Sequence, residues 1–229
     1  MGRRIEIGNP PIALDLRRSA RARRLSLRVS RLDGRVTLTI PQFAPEREAI
    51  DFARTREGWL RSHLSGLESA VAVAVGAEIP FRGAPTPIIA SALRRVTHAD
   101  GAIRVPANAA APAARVKAFL QVQARDALAA ASDRYAAQVG RPYTRLTLRD
   151  TRSRWGSCNS HGQLMYSWRL ILAPPAVLDY VCAHEVAHLV EMNHAPAFWQ
   201  VVERLMPDYR PHRAWLRNHG DKLHQIVFS

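Results

Sequence analysis

The stretch His184-Glu185-Val186-Ala187-His188-Leu189-Val190-Glu191-Met192-Asn193-His194 decides how the rest of the chain is read. On a helix, residues four apart lie one turn from each other on the same face, so the rings of His184 and His188 can reach a single metal ion. Glu185, beside the first of them, can then reach a water held by that ion. Three ring nitrogens and a water make a tetrahedral zinc with one exchangeable position, which a hydrolytic site needs and a purely structural site lacks. Counting about 100° per residue from His184 brings Val177, Tyr180, Val181, His188 and Glu191 within about 60° of it, while Leu178, Cys182, Val186, Leu189 and Val190 cover most of the remaining circumference. A helix so apolar all round needs a reason to bury two imidazoles and a carboxylate, and a metal supplies one.

The third ligand is left open by spacing alone. His194 lies six residues beyond His188, so the chain must turn for its ring to come back. Asn193, which takes the left-handed conformation more readily than most residues, is the expected pivot. Glu191, on the metal face one turn on, and Glu203 on the next helix are the other candidates.

Ahead of this helix, Gln163 to Leu172 alternates as a strand with Leu164, Tyr166, Trp168, Leu170 and Leu172 on one side, and Pro174-Pro175 ends it and opens the helix. Further upstream, Arg152-Ser153-Arg154-Trp155-Gly156-Ser157-Cys158 concentrates two fixed positive charges, a large apolar anchor and a glycine on a loop or strand end. The arginines fit either a substrate carboxylate or oxyanion, or carboxylates on the long helix from Val116 to Val139, which has no internal Gly or Pro and is stopped by Gly140 and Pro142. Cys158 reads as a small packed residue, with nothing nearby in sequence to activate a thiol.

The first hundred residues have another character. Leu25, Leu27 and Val29, then Val36, Leu38 and Ile40, alternate with Arg, Ser and Thr around Asp33-Gly34. This is a hairpin with one buried face and one basic, hydroxyl-bearing face. Ile5 to Leu16 suits an edge strand, Pro45 to Leu64 a helix, and the segment to Val105 further strands with turns at Arg82-Gly83 and near Asp100-Gly101. The Ala- and Pro-rich run from Pro106 to Ala114 suggests a boundary. The expected fold is α+β: a β-rich N-terminal subdomain with one helix over residues 1–110, then a zincin-like subdomain over residues 111–229, with a long helix, a small sheet, the metal helix and C-terminal helices.

At 229 residues and 47% apolar content the chain can build a sizeable core. No run of eighteen apolar residues could span a bilayer, and no apolar stretch follows Arg3 and Arg4 to make a secretory signal. Two cysteines, Cys158 and Cys182, are too few for a disulfide framework, so a reducing cytoplasmic setting is expected. Half of the net charge of +14 falls in the first 35 residues, where ten Arg face only Glu6, Asp15 and Asp33. Such a surplus allows a nucleic-acid partner through the N-terminal region, or a solvated basic face; an alternative reading of the whole chain is a nucleic-acid-binding module with a structural zinc.

Taken together, Arg152 to Cys158, the segment with Trp168, Tyr180 to His188, Asn193-His194 and Phe198-Trp199 resemble the YgjP-like metallopeptidase family, related to the SprT-like proteases. The likeness runs from about residue 150 to 217, more weakly through the N-terminal hairpin and helix. It implies a zinc-dependent peptidase acting on a peptide or protein substrate, with one zinc held by His184, His188 and His194, and Glu185 as the residue that activates the zinc-bound water. A protease recruited to DNA would also be in keeping with it. Ala195 stands where many relatives have Ser, a difference that touches a helix cap. For substrate or oxyanion contacts the candidates are Arg154, Tyr180, Tyr209 and His212, while Phe198 and Trp199 read as packing residues. Oligomeric state is not legible.

Overall fold

Val36, Leu38 and Ile40 point to one side of their strand, and burying that side organises the first of two compact units, Met1–Ser69 and Ala70–Ser229, in the computed structural model. The structure describes residues 3–30, 34–65 and 70–228. In the first unit β1 (Arg3–Ile7), β2 (Ile12–Ser19), β3 (Ser26–Val29) and β4 (Val36–Pro41) form a sheet in the order β1-β2-β4-β3. β3 and β4 are antiparallel, with Arg28 opposite Thr37 and Ser26 opposite Thr39, which is the basic, hydroxyl-bearing face the alternation predicts. Of the expected turn, Asp33 lies outside the described residues, and Gly34 adopts φ 68°. β1 is an edge strand.

The expected single helix is two, α1 (Glu46–Thr55) and α2 (Glu57–Ser65), interrupted at Arg56. Ala49, Ala53 and Leu60 are fully buried in one core with Leu14, Leu38 and Ile40. Part of the arginine surplus is spent internally. Arg18 donates to the carbonyls of Gln42 and Ala44 at 3.0 Å, while Arg3 and Arg35 pair with Glu46 and Asp15 at 3.0 and 3.7 Å.

The second unit starts with β5 (Val71–Ala72), β6 (Glu78–Phe81), β7 (Ala84–Ser91), β8 (Thr97–Ala99) and β9 (Ala102–Pro106), the last four forming a sheet in the order β6-β7-β9-β8. Its chain divides from the first unit at Ser69/Ala70, ahead of the division expected at 110/111. The reason is packing: Ile79, Phe81, Ile88, Ile103 and Val105 share one core with Val116, Leu120 and Leu128 of the long helix α3 (Pro112–Val139). The Ala- and Pro-rich run is a connection inside this unit. Both expected turns are present, with Arg82-Gly83 at φ 51° and 80° and Asp100-Gly101 at φ 50° and 71°.

α3 opens with Pro112 and ends at Gly140, whose φ of 65° is the left-handed conformation that closes helices. Its buried stripe of Val116, Leu120, Ala124, Leu128, Ala131 and Tyr135 recurs every three to four residues. A three-stranded sheet follows in the order β10-β12-β11, built from β10 (Arg145–Arg149), β11 (Gly156–Cys158) and β12 (Gln163–Ser167). β12 is parallel to β10 and antiparallel to β11.

The expected strand from Gln163 to Leu172 ends at Ser167. Trp168–Leu172 is a 3-10 turn in which Trp168, Leu170, Ile171 and Leu172 are all buried, a pattern with no exposed face for a strand's alternation to serve. The Arg82-Gly83 turn fixes it: the two backbone N–H groups donate to the carbonyls of Ile171 and Leu172 at 2.9 and 3.1 Å. A Cβ on Gly83 would stand 2.8 Å from the Cα of Pro174, so only glycine lets the turn sit against the start of α4 (Pro175–Ala187). α5 (Pro196–Leu205), α6 (Tyr209–Leu223) and β13 (Ile226–Val227), which pairs with β5, complete the unit.

Arg169 ties these parts together. Its guanidinium donates to both carboxylate oxygens of Asp150, at 2.6 and 3.3 Å, and to the carbonyls of Leu223 and Ile226, at 2.8 and 2.9 Å. Desolvation alone would raise the Asp150 carboxyl, but these hydrogen bonds and the charge of Arg169 hold it below the usual range.

Candidate metal centre

α4 is buried on nearly all sides, through Val177, Leu178, Val181, Cys182, Ala183 and Val186, so its direction is set by packing before any ligand is considered. Arg134 of α3 pairs with Asp179 at 2.9 Å, and Ser132 of α3 meets the Tyr166 hydroxyl of β12 at 3.1 Å. Helix and sheet are thereby locked to the same long element. His184 and His188 project from its last turn, as their spacing predicts.

His194 joins them. Ligand atoms of His184, His188 and His194 lie within 4.8 Å of one another, a group that could hold a metal ion. The turn that returns His194 is not the one expected, because Asn193 does not take a left-handed conformation. Instead α4 tightens after His188, with Leu189 and Val190 donating to the carbonyls of Val186 and Ala187, and the Asn193 side-chain oxygen accepts from the Ala195 N–H at 3.1 Å. α5 starts at Ala195 without a side-chain cap.

The imidazoles are held in different ways. His188 Nδ1 lies 3.0 Å from the carbonyl oxygen of Glu191. A carbonyl can only accept, so Nδ1 carries the proton and Nε2 keeps its electron pair for a metal. Glu191 thus contributes its main chain, and neither its carboxylate nor that of Glu203, which is exposed and 3.7 Å from Arg210, belongs to the histidine group. His184 Nε2 faces His194 Nε2 at 3.1 Å, while its Nδ1 is buried with no hydrogen-bond partner. Packing holds that ring. Phe198, fully buried, has its ring centre 4.9, 4.4 and 4.7 Å from those of His184, His188 and His194. Burial pushes the His184 imidazole down to about 3, helped by the charges of His188, His194 and Arg213, and burial also lowers His188. Both rings are therefore neutral near pH 7, the form that binds metals.

Glu185 is 6% exposed and faces away from the imidazoles toward β11. Gly156 is packed so closely on it that a Cβ there would stand 2.6 Å from Glu185 Cγ, and the Cys158 backbone N–H donates to the carboxylate. Burial pushes this carboxyl up to about 8, against the charge of Arg154 and that hydrogen bond. A dication beside it would act in the same direction as Arg154. The Cys158 thiol is pushed up to about 11 by burial and the Glu185 charge, so it stays protonated, in keeping with a packed residue rather than a nucleophile.

β11 is an edge strand. Ser167 N–H donates to the Trp155 carbonyl at 2.8 Å and Asn159 N–H to the Gln163 carbonyl at 3.2 Å, so by antiparallel alternation Gly156 and Cys158 turn their backbone groups away from β12. Trp155 anchors the loop before it, 4.9 Å from the His224 ring and against Gly220 of α6. Neither Arg152 nor Arg154 makes an ion pair among the described residues, and α3 supplies them no carboxylate.

Burial, with the Arg169 charge next, pushes the His224 imidazole from 6.5 down to about 4. The unfolded chain therefore takes up a proton near 6.5 that the folded chain refuses until about 4. The stability this contributes is complete above pH 6.5 and drains away as pH falls toward 4. In urea unfolding between pH 7.5 and 4.5, His224→Gln is expected to lose less stability on acidification than the unaltered chain.

The other sequence candidates fall into two groups. Tyr180 has its ring 6.0 Å from that of His184 and stacks on Tyr209 at 6.2 Å, and Tyr209 stacks on Trp199 at 5.6 Å. Burial pushes the Tyr180 hydroxyl up to about 12, so it remains a donor. His212 is drawn instead to Asp208 on its own helix, at 3.3 Å, and makes no contact with the histidine group. Sequence reasoning missed Arg213, whose guanidinium lies over the Trp199 ring at 4.4 Å and whose charge is felt by His184; one exposed arginine among many carries no signal. It also missed what Phe198 packs against.

A family model described as YgjP-like, metallopeptidase domain, matches residues 23–219. Comparison with curated proteins returns no match. Among solved structures the chain is similar to the metallopeptidase zymogen abylysin of Pyrococcus abyssi, at 17% identity and a TM-score of 0.37, over 44% of this chain and 99% of that one. With a family match spanning both the N-terminal strands and the three converging histidines, the chain belongs to the YgjP-like metallopeptidase family.

Proposed function

We propose that this chain is a zinc peptidase in which His184, His188 and His194 hold one zinc ion and Glu185 is the general base. The convergence of three imidazoles on one point, with a buried carboxylate beside them at an open strand edge, is the observation that carries the reading. The donor set fits zinc. Three neutral nitrogens leave a fourth position free, and the 3.1 Å between His184 and His194 Nε2 is close to the edge of a tetrahedron, roughly 3.3 Å when metal–nitrogen bonds are about 2.0–2.1 Å. When bound, the metal supplies Lewis acidity toward water and the scissile carbonyl.

The chain's own residues supply the rest. Glu185 accepts a proton from the attacking water and passes it to the leaving amine. Gly156 and the Cys158 N–H hold its carboxylate in place. The backbone groups of Gly156 and Cys158 that turn away from β12 offer an extended peptide a strand to pair with, which would lay its carbonyls beside the histidines. Toward the oxyanion the protonated Tyr180 and the positive Arg213 are the groups next to His184.

The test is metal dependence. Stripping the protein with a chelator should abolish peptide cleavage, and one equivalent of zinc should restore it. His194→Ala should weaken zinc, measured against a chromophoric chelator, by more than the roughly 10- to 100-fold that loss of an outer partner costs. Cleavage that survives complete metal removal would overturn the reading. Among the described residues no helix is long and apolar enough to cross a membrane.

A further inference from the structure

The face of the β10-β12-β11 sheet turned away from Glu185 has a chemistry that the proposed reaction does not use. Because side chains alternate along a strand, Leu146 and Leu148 of β10 and Leu164 and Tyr166 of β12 pack on the core, which sends Arg145, Thr147 and Arg149 to the other side. Ser157 of β11 joins them, its neighbours Gly156 and Cys158 being the two that meet Glu185. With Arg154 and the loop before β11 these residues line a groove of about 490 Å³. No acidic and no aromatic residue lines it.

Its arginines differ from most in this unit. Arg104, Arg134 and Arg169 each pair with an aspartate at 2.9 Å or less, whereas Arg145, Arg149 and Arg154 have no carboxylate partner. Three positive charges therefore converge on a concave surface whose other polar groups are hydroxyls and amides. The groove is also fixed in shape. Thr151 Oγ1 donates to the Arg154 carbonyl at 2.8 Å, and at the far end the Asn159 side-chain oxygen accepts from the His161 and Gln163 N–H groups at 3.0 Å.

We infer that this groove selects substrates by holding acidic side chains of an extended peptide on the outer face of the sheet, while the peptide backbone pairs with β11. The inference rests on the peptidase reading for the placement of that backbone. Spacing supports the occupant. Arg145 and Arg149 are four residues apart on one strand, about 13 Å at roughly 3.3 Å per residue, the repeat of alternate positions on an extended peptide. A nucleic-acid strand is the less suited occupant, because its bases would find no aromatic ring to stack on.

The experiment uses the full chain loaded with zinc and three peptides that carry Glu, Gln or Lys at every second position, otherwise identical. Binding is read by fluorescence anisotropy on the Glu185→Gln protein, and cleavage on the unaltered one. The Glu peptide should bind and be cut about tenfold better than the Gln peptide at low salt, and less so at 0.5 M salt, as expected of exposed charge pairs. Arg145→Glu with Arg149→Glu should invert the order to favour the Lys peptide, a gain that damage to the fold could not produce. Arg115→Glu, on exposed α3 surface outside the groove, should leave the order as it was.

Charge-selective binding without cleavage of any peptide would sink the peptidase reading and leave the groove standing. Cleavage without charge preference, or with a preference that survives the double reversal, would sink the groove. Duplex DNA that binds more tightly than the Glu peptide, and through Arg145 and Arg149, would replace the proposed occupant.

Discussion

Glu185→Gln is expected to keep its zinc and lose peptide cleavage by about a hundredfold to ten-thousandfold, the usual contribution of a general base. The substitution preserves volume in a site where Glu185 is 6% exposed, and the amide oxygen can still accept from the Cys158 N–H. It removes only the ability to take a proton. Zinc content by mass spectrometry should stay near one per chain, and thermal stability should hold or rise, since a buried acid is replaced by a neutral group. Cleavage near the unaltered rate in a zinc-replete variant would assign the base elsewhere.

Gly156→Ala should do comparable harm by a different route. The added methyl would stand 2.6 Å from Cγ and from a carboxylate oxygen of Glu185, so the side chain must leave its place. With the base displaced and the three imidazoles untouched, turnover should fall more than a hundredfold while zinc affinity stays within a few-fold, since misplacing a catalytic group by about 1 Å can cost that much. Gly58→Ala is the control. Nothing lies within 4 Å of a Cβ there, and in an exposed helical position alanine should stabilise by roughly 0.5–1 kcal/mol. Equal activity of the two variants would remove the role given to Gly156.

These two residues mark how far the sequence could be read. Glu185 was legible because four-residue spacing on a helix is a geometric statement, and the ends of α3 were legible because Pro112 and Gly140 have the backbone preferences that helix ends require. Gly156 showed only as permissive backbone; that it makes room for a carboxylate 29 positions later is a tertiary fact. The same holds for Ile79 and Val105, whose alternation announces strands but cannot say whose core they join, and so the Ala- and Pro-rich run looked like a boundary. Residues 168 to 172 misled because a wholly buried apolar run reads alike as strand or as helical turn. Asn193 turned the chain through its side chain where the backbone was expected to do it. Arg145 and Arg149 lay in plain view among 33 basic residues, and only the strand register gathers them with Arg154.

Phe198 supports all three imidazoles from a position only fourteen residues beyond the first of them. Closing so short a loop costs little chain entropy, and the cost grows slowly with length. The segment from His184 to Phe198 is consequently a near-autonomous cassette. Its grip on a cation is set by neighbours along the chain, whereas the strand that would meet a substrate belongs to a separate stretch, so affinity for metal and choice of substrate can drift apart in evolution, each leaving the other intact.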